Sequence, residues 1–143
     1  MKKLIQIFII LNTFNSAFAS NYSAGLAIGS LTGINYSSYL NKEYTVEGLI
    51  GWSIFDDDLN IEIYYLKNEK DKFMLQAYNL DFKLGYGLKV VDDNFGPSVL
   101  TGVEHKIDNT SFKLLANTNV VVLSKDDSLS AYLGAYLGAR YNF

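Results

Sequence analysis

The sequence predicts an all-β fold, eight antiparallel strands in an up-and-down meander closed into a barrel. Three observations predict it. Apolar side chains alternate with small or polar ones along most of the chain, most plainly in LSAYLGAYLGARYNF at residues 129–143. Short clusters of Asp, Asn and Lys interrupt that alternation, as turns between strands would. One proline stands against eleven glycines and eleven tyrosines, a mixture that favours strands over long helices. The 143 residues amount to one domain.

The first 19 residues are expected to lie outside that domain. Lys2 and Lys3 open the chain, Leu4 to Leu11 form an apolar run, and Ala17-Phe18-Ala19 precedes Ser20. This is the layout of a secretory signal peptide, with an apolar run too short to cross a bilayer as a helix. Residues 20–143 are then the barrel domain. Losing Lys2 and Lys3 leaves ten basic residues against fifteen acidic, a net charge of about −5. Such a surface excludes nucleic acid as a partner. Absence of cysteine excludes disulfides and thiolate metal sites, although an exported chain could have used them.

The strands follow in order. The first, residues 22–30, sets Tyr22, Ala24, Leu26 and Ile28 on one face and Ser23, Gly25, Ala27 and Gly29 on the other. The second, 33–40, sets Ile34, Tyr36 and Leu40 against Gly33, Asn35, Ser37 and Tyr39. In the third, 44–55, Tyr44, Val46, Ile50, Trp52 and Ile54 oppose Thr45, Glu47, Gly51 and Ser53. The fourth, 59–66, opposes Leu59, Ile61, Ile63 and Tyr65 to Asn60, Glu62 and Tyr64. Lys67–Met74, where Lys alternates with Glu or Asp, reads as a polar connection. The fifth strand, 79–90, alternates most cleanly: Leu80, Phe82, Leu84, Tyr86, Leu88 and Val90 against Asn79, Asp81, Lys83, Gly85, Gly87 and Lys89. The sixth, 98–107, has Val99, Thr101, Val103 and Ile107 against Ser98, Gly102, Glu104 and Lys106. The seventh, 111–123, has Phe112, Leu114, Ala116, Val120 and Val122 against Lys113, Asn117 and Asn119. The eighth is the tail quoted above.

Alternation does not say which face points inward; volume does. An eight-stranded barrel has an interior just wide enough for side chains to fill, or for one small ligand. The apolar faces carry far more Leu, Ile, Val, Phe and Tyr than such an interior accepts, whereas the other face is small, amidic and of mixed charge. The apolar face is therefore expected to meet lipid, making the barrel transmembrane. A two-layer soluble sandwich is the rival, because its core holds more side chains.

Hairpin turns at Asp93-Asn94 and Asp108-Asn109 would place Asp81 opposite Lys106, Lys83 opposite Glu104, and Glu104 opposite Lys113. Opposite charges would then adjoin across three strands as an interior ion network that blocks any pore. With the N-terminus on the periplasmic side, Tyr22, Tyr44, Tyr65, Phe112, Tyr141 and Phe143 fall at one level, as an interfacial aromatic girdle does.

The tail from Tyr136 to Phe143, with Gly138, Tyr141 and a terminal Phe143, resembles the C-terminal assembly signal of bacterial outer-membrane β-barrels. The whole chain is similar to small barrels of the OmpA/OmpX type. Gly25–Leu40 with Thr32-Gly33 and Tyr39-Leu40, then Gly51-Trp52-Ser53 and Gly138–Phe143, also resembles a family of short, functionally uncharacterised outer-membrane barrel proteins. The resemblance implies a bacterial outer-membrane location, a monomer, and two partners: outer-membrane lipid and the outer-membrane barrel assembly machinery. The long protruding external strands of OmpX-type barrels are not expected here.

No catalytic, metal or cofactor site emerges. His105, the only histidine, excludes a two-histidine zinc site and is expected on the outer face near the periplasmic end. Some outer-membrane enzymes that trim lipid A use an outward histidine with a nearby serine, but Lys106 and Ile107 follow His105. The acidic clusters Asp56–Asp58, Asp92-Asp93 and Asp126-Asp127 suit solvated turns, with divalent-cation binding the lesser reading. A non-enzymatic structural or envelope role leads. Behind it come surface binding, lipid modification, a weakly conducting channel and a soluble periplasmic ligand binder.

Overall fold

The structure, a computed structural model, describes residues 21–53, 58–75, 78–92, 94–125 and 128–143. The expected leader and most of the acidic turn residues (Asp56, Asp57, Asp93, Asp126 and Asp127) lie outside the described residues.

Eight strands follow one another: β1 (Tyr22–Gly29), β2 (Leu31–Tyr39), β3 (Tyr44–Ser53), β4 (Leu59–Leu75), β5 (Tyr78–Val91), β6 (Asn94–Lys106), β7 (Phe112–Lys125) and β8 (Ser128–Asn142). Each pairs antiparallel with the next, and β8 pairs back onto β1, so the sheet closes as a ring. No helix occurs among the described residues. Following directly opposed residues from Ser37 through Glu47, Tyr64, Gly87, Ser98 and Val121 arrives at Tyr132 on β8. Going the other way, through Ser23, arrives at Asn142. The ring therefore closes with a stagger of ten residues, from Tyr132 to Asn142. With strands about 4.8 Å apart and a rise of about 3.3 Å, this stagger tilts them about 41° and gives a radius of about 8 Å.

Parity sorts the side chains. Leu133 is 80% exposed, Ile63 56% and Leu84 48%, all on the outer wall, whereas Glu47 and Arg140 on the inner parity are each 1% exposed. These apolar residues do not meet in a closed centre, as a sandwich would require. Inside, Ala27, Leu31, Leu49, Leu66, Leu100, Leu115, Tyr64 and Tyr136 form a buried cluster alongside the polar groups.

The connections correct two expected registers. Val91 opposes Asn94, so the β5–β6 turn begins at Asp92, one residue earlier than a turn at Asp93-Asn94 would. Asp92 takes φ 51°, the left-handed backbone that a two-residue hairpin needs and that Asp tolerates. The β6–β7 link is longer than two residues: Ile107 donates to the Phe112 carbonyl, and Asn109 sits at φ 59°. Each change slides the pairing by two residues, so parity survives but partners do not. Asp81 faces Glu104, Lys83 faces Gly102, and Lys106 faces Lys113.

The third correction is β4. Lys67–Met74 is no loose connection; the strand continues to Leu75, paired with β5 across a bulge between Glu69 and Phe73. Backbone pairing holds this ribbon, which is why alternation did not announce it. Asp71 occupies the left-handed region at φ 50° within the bulge, and its N–H donates to Asp81 Oδ1 (2.9 Å).

Closure is directly testable because the chain has no cysteine of its own. Leu26 and Ala139 are opposed across the β1–β8 seam. The double variant Leu26→Cys/Ala139→Cys is expected to oxidise to an intramolecular bridge, read by mass and non-reducing gel mobility. Leu26→Cys/Tyr141→Cys, two residues out of register, is expected to bridge far more slowly.

Candidate functional site

The feature that stands apart chemically is the charged interior. Some of its members come from neighbouring strands and others from strands that do not adjoin, which the stagger brings together across the bore. Glu47 on β3 receives Lys83 Nζ from β5 at 2.9 Å, and Arg140 Nη1 of β8 lies 3.0 Å from the same oxygen, Oε2. Its other oxygen accepts from Asn35 Nδ2 of β2 (3.1 Å) and Asn117 Nδ2 of β7 (3.0 Å). Glu104 on β6 is ringed likewise. Lys113 Nζ approaches Oε1 to 2.7 Å, Lys83 lies 3.5 Å from Oε2, and Arg140 Nη2 donates to that same Oε2. Tyr39 OH donates to Glu104 Oε1 (3.1 Å), and Lys113 donates to Tyr39 while lying 4.5 Å from the centre of its ring.

Nearer the opposite end a second tier centres on Glu62. Lys89 Nζ lies 2.9 Å away, Asn119 Nδ2 reaches both carboxylate oxygens at 3.1 Å, and Tyr64 OH donates at 3.0 Å. Tyr64 OH also shares a hydrogen bond with Ser98 Oγ (2.8 Å). Each buried carboxylate thus has cations and neutral donors around it, which burial of a charge requires.

Glycines make room for these long side chains. A Cβ on Gly102 would stand 2.0 Å from Asn117 Oδ1, and one on Gly134 would stand 2.2 Å from Asn119 Oδ1. At the end carrying the chain termini, the lower tier opens into a cavity of about 570 Å³ lined by Tyr39, Lys83, Glu104, Lys113, Lys106 and Asp81, among others.

The residues expected to form the ion network divide. Lys83, Glu104 and Lys113 meet in the interior, through diagonal contacts rather than the direct pairs expected. Asp81 and Lys106 do not pair; Lys106 is exposed, and Asp81 accepts the Asp71 N–H instead. Sequence reasoning left out Glu47, Glu62, Lys89 and Arg140. All four carry the inner parity, which was the available signal. What neighbouring-strand registers could not show was the approach of β3 to β5 and β8 across the bore.

The girdle residues lie on the outer wall at the termini end, each in contact with at least one other. Tyr22 stacks on Phe143 (5.1 Å between ring centres), Tyr44 on Tyr65 (5.3 Å), and Phe112 meets Tyr141 edge-on (5.2 Å). Tyr141 also meets Phe143 (5.1 Å). Gly138 is packed so closely that a Cβ would stand 2.8 Å from the Leu26 carbonyl oxygen. His105 Nδ1 lies 3.0 Å from the Asn79 carbonyl oxygen, with its ring edge-on to Tyr78. Among the described residues, no group of three His, Asp or Glu side chains gathers as a metal site would.

Compared with known proteins, the chain matches no family model, no curated protein and no solved structure.

Arg140 is the test of the network, because its removal strands two carboxylates. Arg140→Ala is expected to lower unfolding free energy by about 3–5 kcal/mol, the range for breaking one side of a buried ion pair, measured by urea titration. Lys106→Ala, at an exposed position, is expected to leave the unfolding midpoint unchanged.

Proposed function

We propose that this chain is an integral barrel of a bacterial outer membrane, non-enzymatic, with a structural role in the envelope and an interior closed by its own side chains. One observation supports the reading above the rest. Outward positions carry no charged side chain on any strand between the aromatic ring and the opposite turns: not from Tyr22 to Ile28, Ile34 to Ser38, Tyr44 to Trp52 or Leu59 to Tyr65. The same holds from Phe82 to Val90, Phe95 to Val103, Phe112 to Val122 and Leu129 to Tyr141. Soluble monomers rarely expose an unbroken apolar patch beyond a few hundred Å².

Dimensions agree with hydrocarbon as the neighbour. From Tyr44 to Trp52 on β3 the wall rises about 20 Å along the axis, and from Phe112 to Phe95 about 27 Å, bracketing the apolar band of about 25 Å expected of such barrels. Outward hydroxyls turn back to backbone carbonyls, as lipid exposure would demand: Thr101 Oγ1 donates to Lys83 O (3.3 Å) and Thr118 Oγ1 to Thr101 O (3.5 Å). The sequence resemblance of the tail to an outer-membrane assembly signal points the same way and makes the assembly machinery a partner.

A filled interior argues for a scaffold rather than a conduit. The surface-binding alternative needs loop area, and the links between Gly29 and Leu31, Val91 and Asn94, and Lys125 and Ser128 are too short to present much.

The reading makes two expected outcomes. The chain should fractionate with outer membranes and migrate faster on gels unheated than boiled; a soluble periplasmic protein indifferent to boiling would refute it. Purified protein should leave planar bilayers silent, whereas Glu104→Ala/Lys113→Ala should raise conductance if the lower tier is the block.

A further inference from the structure

The β4–β5 hairpin runs past the end of β3 and past its own last pairing with β6. Tyr44 opposite Lys67 is the last β3–β4 pair, and Asp81 opposite Glu104 the last between β5 and β6. Residues 68–75 and 78–80 thus extend as a two-stranded ribbon at the termini end, the Leu75–Tyr78 pair about 10 Å beyond Tyr44 along the axis. A lone ribbon is only marginally stable in water. This one is fixed to the wall along its β6 side: Phe73 edge-on to Phe82 (5.7 Å) toward the root, and at the outer end Tyr78 edge-on to His105 (5.2 Å), with His105 Nδ1 against the Asn79 carbonyl.

Its sidedness is the informative part. The pairs Phe73–Leu80 and Leu75–Tyr78 carry the outer-wall row of Phe82 and Leu84 onto the ribbon. Leu75 is 64% exposed and Tyr78 55%, with Phe73 also exposed. The two outermost pairs are apolar on this side, and Glu69, opposite Phe82 at the root, is its one acid among the described residues. The cations fall where phosphates would meet them: Lys67 at the ribbon's root, paired opposite Leu84, and Lys72 within the bulge, ion-paired with Glu69.

We infer that this ribbon is a membrane-interface anchor, its outer side (Phe73, Leu75 and Tyr78) bedded in the phospholipid headgroup layer of the leaflet at the termini end. The inference rests on the barrel reading and extends it. Aromatic rings favour that boundary, with the apolar body inward and the polar tip wet. Lys67 and Lys72 lay their stems along the apolar surface and reach the phosphates. The apolar face is continuous with the proposed lipid-facing wall, which makes lipid its occupant in preference to a separate protein. His105 holds the Tyr78–Asn79 end of the ribbon against β6.

Trp52, the only tryptophan, sits on the outer wall and reports on the barrel itself. The probes are Tyr78→Trp and, as a second choice should that variant misfold, Leu75→Trp, both in a Trp52→Phe background. Each is reconstituted in phosphatidylcholine vesicles whose acyl chains are brominated near the glycerol. Emission from Tyr78→Trp or Leu75→Trp is expected to fall roughly twofold in brominated vesicles and to resist aqueous iodide, as burial at the acyl–headgroup boundary requires. Unquenched emission that iodide reaches freely, with wild-type Trp52 still quenched by bromine, would overturn the anchor and leave the barrel reading standing. Unquenched Trp52 would overturn both.

Discussion

A stagger of ten residues around eight strands fixes the bore, and the rest of the molecule follows from that width. A radius of about 8 Å, measured at the backbone, leaves space for one layer of inward side chains and little else. Long residues can enter only where a neighbour is small, so Asn117 lies against Gly102 and Asn119 against Gly134. The bulky apolar residues, too many for that space, stand on the outside. What is unusual about the surface and what is unusual about the interior are one fact seen from two sides.

The charged interior is better understood as a specifier than as a source of stability. Removing Glu47, Lys83, Glu104 and Arg140 from water carries a large desolvation penalty, which their mutual attraction offsets only in good geometry. Well-packed apolar residues could do as well energetically. What the charges add is discrimination. A β-strand that slips by one residue exchanges its two faces, and here the slip would drive carboxylates and ammonium groups into the outer wall while Leu and Ile crowded the bore. The penalty for the wrong register is therefore severe on both faces at once.

Much of this was legible in the sequence. The number and order of strands, their alternation and the exclusion of charge from one face come from local pattern, and residues 129–143 show all of it in a single stretch. Registers came out displaced by two because they depend on turn length, and Asp92-Asp93-Asn94 permits more than one turn from composition alone. The far half of β4 was hidden for a different reason. Lys67 to Lys72 lacks apolar alternation, and only the pairing of Lys67–Glu69 with Phe82–Leu84, resumed at Phe73 beyond the bulge, makes it a strand. The meeting of Glu47 with Arg140 was illegible in principle to pairwise reasoning, since their strands touch the bore from different sides.

That meeting has a temporal consequence. Arg140 belongs to the last strand and Glu47 to the third, so the contact does not exist in any partial sheet. An intermediate of β1 to β7 would hold Glu47 and Glu104 with lysines as their only cations and would display an open edge on either side. Arrival of β8 supplies the guanidinium and removes both edges in one event. Such long-range dependence predicts slow, all-or-none maturation, with the final strand acting as the latch.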